Sequence, residues 1–185
     1  VLEALYSTPA GKNTIVIVLA DHGDGMGSHR MVTKQVSFYE EMTNVPFIIA
    51  GPGIHPRQKP VEDLLTQPTI DLLPTLCELA GIPVPSSKPG ISLAPFLKGE
   101  KQKRQHPYAA SEWHSEYEVT VSPGRMIRSP RYKYTHYLEG NGEELYDMLK
   151  DKGERRNLAH DPKYSKILAE HRALLDDYIR RTQDD

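Results

Sequence analysis

NTIVIVLADHGDGMGSHRMVTKQVSFYEEMTNVP, residues Asn13 to Pro46, is the stretch whose reading decides the fold. Its opening, Thr14 to Ala20, is rich in Ile and Val, the pattern of a strand buried on both faces of a parallel sheet. Asp21, His22 and Gly23 follow at once. In open α/β sheets ligands sit beyond the carboxyl ends of the strands, so a carboxylate and an imidazole there point to a site. The polar segment Asp24 to Lys34 carries Gly25, Gly27, His29, Arg30 and Lys34. Glycines permit close backbone approach and positive φ, and His, Arg and Lys suit an oxyanion. The loop reads as an anion site beside a hard divalent cation, with Asp21 an oxygen ligand and His22 a further ligand or a donor to bound substrate. One Asp and one His cannot hold such an ion unaided.

Outward from this stretch, Val1 to Tyr6 reads as the last turns of a helix ended by Pro9-Ala10-Gly11. Val36 to Met42 is expected to form a short helix and Val45 to Ala50 a second apolar strand, stopped by Gly51-Pro52-Gly53. Two such strands need partners to make a sheet. Thr69 to Ala80 reads as a helix with Ile70, Leu73, Leu76, Cys77 and Ala80 on one face, Gly81 as its stop, and Pro74 a late start or kink. Pro83 to Gly90 is a proline-rich loop, and Ile91 to Leu97 an apolar patch docking back. A boundary is expected near residue 100, giving segments 1–100 and 101–185.

Beyond it the pattern turns to short strands at Tyr108–Trp113, Arg125–Ile127, Tyr132–Tyr137 and Glu144–Tyr146, separated by Ser-Pro-Gly, Ser-Pro and Gly-Asn-Gly turns. Tyr132, Tyr134 and Tyr137, with Lys133 and His136, read as sheet residues in preference to a stacking platform. Tyr164 to Arg181 is a helix whose stripe of Tyr164, Ile167, Leu168, His171, Leu175, Tyr178 and Ile179 packs on one side. His171 belongs to that packing.

The 185 residues hold 23 Lys and Arg against 25 Asp and Glu, a net charge of −2, so no global basic field is available to hold nucleic acid. No run approaches the roughly 18–20 apolar residues of a transmembrane span. The lone cysteine, Cys77, excludes an internal disulfide and reads as a small buried hydrophobe.

Asp21-His22-Gly23, Lys34, Phe38-Tyr39-Glu40-Glu41 and Val45-Pro46 together resemble the carboxyl-terminal metal-and-lysine segment of the formylglycine-dependent sulfatases of the alkaline-phosphatase superfamily. The resemblance continues through Gly51-Pro52-Gly53-Ile54, Ile70 to Leu76, Ala80-Gly81-Ile82, Leu145-Tyr146-Asp147, Gly153-Glu154 and Asn157-Leu158-Ala159. It implies an α/β fold: the C-terminal part of a sulfatase sheet, plus a small antiparallel β subdomain packed by a C-terminal helix. It further implies Ca2+ held by Asp21 and His22 with upstream carboxylates, and Lys34 as a catalytic contact to the sulfate. His29 falls where many members have Gly-Glu-His-Gly, a substrate-side position, but here the turn reads Gly27-Ser28-His29-Arg30.

The family's formylglycine motif, Cys or Ser followed by x-Pro-x-Arg, has no counterpart here. The resemblance therefore implies a C-terminal portion, inactive alone, whose partners are the missing N-terminal part and a sulfated small molecule or glycan. Export to a periplasmic, secreted or lysosomal location comes from the resemblance only. Trp113, His114 and Arg125 are further candidate pocket contacts. Two alternatives stay open: a phosphate or phosphonate monoester hydrolase of the same superfamily, and a non-catalytic module that binds sulfated glycan.

Overall fold

The computed structural model describes residues 1–32, 36–62, 64–86, 89–102, 105–114, 123–138 and 142–182. In chain order its elements are α1 (Leu2–Tyr6), β1 (Val16–Leu19), α2 (Glu40–Thr43), β2 (Phe47–Ala50), α3 (Pro68–Ala80), α4 (Ala94–Leu97), β3 (Ala109–Trp113), β4 (Gly124–Arg128), β5 (Tyr132–Tyr137), β6 (Glu143–Asp147) and α5 (Ser165–Thr182), with short 3-10 turns between. They divide into two compact units, Val1–Asp21 with Val45–His106, and His22–Asn44 with Pro107–Asp185. The segment His22–Asn44, read from sequence as part of 1–100, packs with the second unit.

In the first unit β1 and β2 pair antiparallel, Val16 opposite Ala50 and Leu19 opposite Phe47. The two were read from sequence as strands that need partners, and Val18, Leu19 and Ile48 are 49%, 41% and 58% exposed in this chain taken by itself. A short Ile/Val run suits any pleated surface, and its composition cannot distinguish one pairing sense from the other.

Helix α3 runs through Pro74, which removes the amide that would bond the Ile70 carbonyl. Gly90 passes so close to that carbonyl that a Cβ on it would lie 2.0 Å from the oxygen. Gly81, at φ 67°, closes the helix, with Ile82 donating to the Cys77 carbonyl at 2.9 Å. The fully buried Asp71 carboxylate accepts from the Gln67 amide at 2.8 Å, the Ile91 amide at 2.8 Å and His106 Nε2 at 2.7 Å. Thr75 Oγ1 accepts from the Leu93 amide at 2.9 Å. Ile91 to Leu97 thus docks on α3 as expected, through backbone bonds to two buried polar side chains.

In the second unit β3 to β6 form an antiparallel meander in sequence order. Tyr108, Ile127, Tyr134, Leu145, Leu158, Leu168 and Leu175 make its core, with α5 laid over one sheet face. Tyr134 is thus a core residue of a strand, as the sequence indicated. Asn157 clamps β6, accepting from the Leu145 amide at 3.0 Å and donating to the Glu143 carbonyl at 2.9 Å. His171 is buried, with Nδ1 2.8 Å from the Ile167 carbonyl and Nε2 2.9 Å from Ser129 Oγ. Burial lowers its pKa. It is the packed histidine the stripe implied.

Arg172 on α5 forks onto Glu143 of β6, its Nε 2.7 Å from Oε1, and Tyr134 donates its hydroxyl to the same carboxylate. The guanidinium is the main reason that the Glu143 carboxyl falls from 4.5 to about 2. A depressed acid stabilises the fold above its unfolded pKa and loses that contribution as pH falls through its folded one. Removing the guanidinium in Arg172→Gln is therefore expected to lower the melting temperature by a constant amount above about pH 5. The difference should shrink steadily toward pH 2, and thermal melts across this range check it. A pH-independent difference would assign the effect to packing alone.

Candidate functional site

The Asp21-His22-Gly23 turn leaves β1 after Ala20. Asp21 is exposed, the last residue of the first unit, and His22 opens the second. His22 Nδ1 lies 2.7 Å from the Gly23 carbonyl. A carbonyl only accepts, so Nδ1 carries a proton and Nε2 is the basic nitrogen of the neutral ring. That arrangement presents a histidine as a ligand or an acceptor through Nε2. The Gly23 amide donates to the Met42 carbonyl at 2.9 Å. A Cβ at position 23 would fall 1.8 Å from the Glu41 carbonyl oxygen, so only glycine lets the turn lie this close to α2.

The following loop is wound tightly. Gly27 has φ 97°, as a glycine in such a loop was expected to have. Met26, His29 and Arg30 also lie left-handed, at φ 46°, 50° and 64°. The turn is closed by Gly27 N–H to the Met31 carbonyl at 2.7 Å and Ser28 N–H to the Gly25 carbonyl at 2.7 Å, over a buried Met31. The His29 ring stacks on Tyr39, centroids 3.6 Å apart and planes 2° from parallel, and its Nε2 is 3.9 Å from Glu41 Oε2. Its side chain is 17% exposed.

Segment 38–43 lies against the sheet face opposite α5, and what meets it there was not foreseen from sequence. Lys133, between the core residues Tyr132 and Tyr134, points the other way by strand alternation. Its Nζ sits 2.7 Å from Glu40 Oε1, 2.9 Å from Glu154 Oε1 and 2.9 Å from the Phe38 carbonyl, with the lysine and Glu154 side chains each only 1% exposed. Glu154 Oε2 accepts the Glu40 amide at 2.7 Å, and Arg128 Nε approaches Glu40 at 3.8 Å. Burial pushes the Glu154 carboxyl up, against the downward pull of Lys133.

A second polar group adjoins it. Glu144 is held above its ordinary pKa by burial and accepts from Tyr137 at 3.2 Å and from Tyr146. Tyr146 in turn is hydrogen-bonded to Tyr39, and burial raises both phenols. These hydroxyls stay neutral at ordinary pH and serve as donors.

The structure thus brings His22, Gly23 and His29 together around α2, in one unit. Asp21 is placed at the strand end beside His22. Lys34 lies outside the described residues. Among those described, no group of three or more His, Cys, Asp or Glu side chains could hold a metal ion. Asp21 offers the hard oxygen donor that calcium prefers, and His22 the basic nitrogen next to it; further oxygen ligands are required. Of the other candidates, Arg125 is buried in β4, Trp113 ends β3, and His114 is 56% exposed with Nε2 3.7 Å from Glu112. Lys133 and Glu154 were missed because a lysine between two strand tyrosines and a glutamate after Gly153 carry no signal of a buried charge.

The profile of the N-sulphoglucosamine sulphohydrolase C-terminal family matches residues 27–181. The chain belongs to this sulfatase family. It is 78% identical along its whole length to a Delta 4,5-hexuronate-2-O-sulfatase of Bacteroides thetaiotaomicron, of which it spans 38%. The solved structure of a 2-O GAG sulfatase matches this sulfatase chain completely at 78% identity and a TM-score of 0.95, over 40% of the solved chain. Another, solved in complex with D-glucosamine-2-N,6-O-disulfate, matches at 26% identity and a TM-score of 0.86, again over all of this chain and 37% of the other. The α/β sulfatase fold expected from the motifs is confirmed.

Arg30 occupies the position where the resembling turn carries glycine, and its φ of 64° is one that glycine adopts freely. A left-handed residue costs roughly 1–2 kcal/mol, and glycine gives back about half of that in backbone entropy. Arg30→Gly is expected to raise stability by about 0.5–1 kcal/mol, read as a later urea midpoint with unchanged slope. An earlier midpoint would mean that the Arg30 side chain, and not its backbone, decides the turn.

Proposed function

We propose that this chain supplies the metal-and-lysine half of a sulfatase that hydrolyses a 2-O-sulfate ester on an unsaturated hexuronate. The observation that carries the reading is 78% identity, over all 185 residues, to a hexuronate-2-O-sulfatase. The matched span includes the Asp21 to Lys34 loop, where the chemistry-bearing residues lie. Export from the cytoplasm belongs to the same proposal.

Asp21 and His22 would hold a calcium ion together with carboxylates elsewhere in the whole protein. When bound, the ion polarises the sulfate and offsets the charge that builds on it. Asp21 contributes a negatively charged oxygen donor. His22, its Nδ1 proton committed to the Gly23 carbonyl, would offer Nε2 as the donor nitrogen. Lys34 would contact the sulfate, where an ammonium favours the transition state over the ground state as the ester S–O bond lengthens and negative charge moves to the leaving oxygen. Formylglycine, supplied by another part of the enzyme, is the nucleophile in this proposal.

In the whole enzyme, Lys34→Ala is expected to lower turnover by about 100- to 1,000-fold with little change in melting temperature. Asp21→Asn should lower it comparably and weaken calcium binding. Release of inorganic sulfate from an unsaturated 2-O-sulfated disaccharide measures the first, and titration calorimetry the second. Unchanged sulfate release in Lys34→Ala, or faster hydrolysis of phosphate than of sulfate esters by the wild type, would defeat the reading.

A further inference from the structure

Helix α2 is held from one side by the C-terminal sheet and holds the candidate site from the other. On the sheet side, Lys133 Nζ donates to the Phe38 carbonyl at 2.9 Å and pairs ionically with Glu40 at 2.7 Å and Glu154 at 2.9 Å. Glu154 fixes the helix start by accepting the Glu40 amide at 2.7 Å. On the site side, the Met42 carbonyl accepts the Gly23 amide at 2.9 Å, and Gly23 rests against the Glu41 carbonyl with no room for a Cβ. The Glu41 side chain also bonds Ser28 and faces His29, whose ring lies flat on Tyr39. A single four-residue helix therefore connects the buried ammonium to His22.

We propose that Lys133 and Glu154 are positioning residues, which set the location of the His22-Gly23 turn through α2. This rests on the sulfatase reading for its catalytic consequence, though not for its geometry. Stability alone is a weak reason for the pair, because well-packed apolar residues commonly replace buried ion pairs without loss. Its directional bonds to the backbone of 38–40 are what apolar residues would not supply. Glu154 also sits left-handed at φ 48°, a conformation retained where the surroundings over-determine it and one that aims its carboxylate at Lys133 and the Glu40 amide. Residues that orient metal ligands from behind typically affect affinity or activity about 10- to 100-fold, and a displacement of about 1 Å has a comparable effect on rate.

The test uses the whole enzyme with Lys133→Met, Glu154→Gln and the double variant, and Arg172→Gln as a control for general weakening. Amide exchange in residues 22–31 is expected to quicken at least about tenfold in both single variants while β4 and β5 remain protected. Calcium affinity should fall by about 10- to 100-fold, and kcat should fall more than KM rises. The double variant should regain melting temperature but not protection of 22–31, and Arg172→Gln should leave that protection unchanged. Wild-type exchange at 22–31 in a folded variant overturns the proposal. So does a double variant that regains stability and protection together, which makes the pair merely stabilising. If Lys133→Met does not fold, Glu154→Gln, nearly the same shape, decides. If the wild type neither binds calcium nor releases sulfate, the functional reading fails, while exchange at 22–31 still decides the positioning role.

Discussion

The second unit depends on a charge that has no business in a sheet interior unless it is fully paired. Lys133 is almost completely buried, and an unpaired ammonium there would be expensive enough to expel the strand or lose its proton. Two glutamates and a backbone carbonyl surround it instead. One of those partners, Glu154, comes from the turn after β6; the other two, Phe38 and Glu40, come from a segment about 95 residues earlier in the chain. The sheet therefore has two covered faces of different kinds. Against α5 it is mainly apolar, with the Arg172–Glu143 fork beside the core; against 38–43 it is polar and directional.

The candidate loop is built differently. Segment 22–31 has little apolar anchoring beyond Met31, and four of its residues, Gly27 included, are in the left-handed region. Turn hydrogen bonds, the His29–Tyr39 stack and the contact of Gly23 with α2 hold it. A loop of this sort keeps its shape because its surroundings over-determine it, which suits a place where a histidine must be presented in one tautomer. Arg30 holds its left-handed φ although its own side chain disfavours it.

Much of this was legible in the sequence because the signals were local. Gly81 closes α3 as predicted, the Tyr132–Tyr137 strand has the predicted limits, and the α5 stripe packs as its periodicity required. Asp21, His22 and His29 were singled out because their residue types and spacing resemble a known motif. The pairing sense of β1 and β2 was not legible, since an Ile/Val run carries no information about direction. The Lys133 cluster was invisible for a related reason. A lysine in an alternating strand signals solvent, and only a partner distant in sequence converts that position to interior. Glu154 lies in a turn, and its side chain reaches back under the sheet.

The chain passes from one unit to the other at residue 21, returns at 44 and leaves again at 106. Sequence order and modular order therefore disagree. A chimera assembled from two related enzymes with a single junction near residue 106 would join one parent's 22–44 to the other parent's sheet, and so mate Phe38 and Glu40 with a foreign Lys133 and Glu154. The recombination-compatible block is discontinuous, 22–44 together with 107–185. Natural shuffling of this region would have to move both pieces at once, which makes the small C-terminal sheet a heritable companion of the loop rather than an interchangeable appendage.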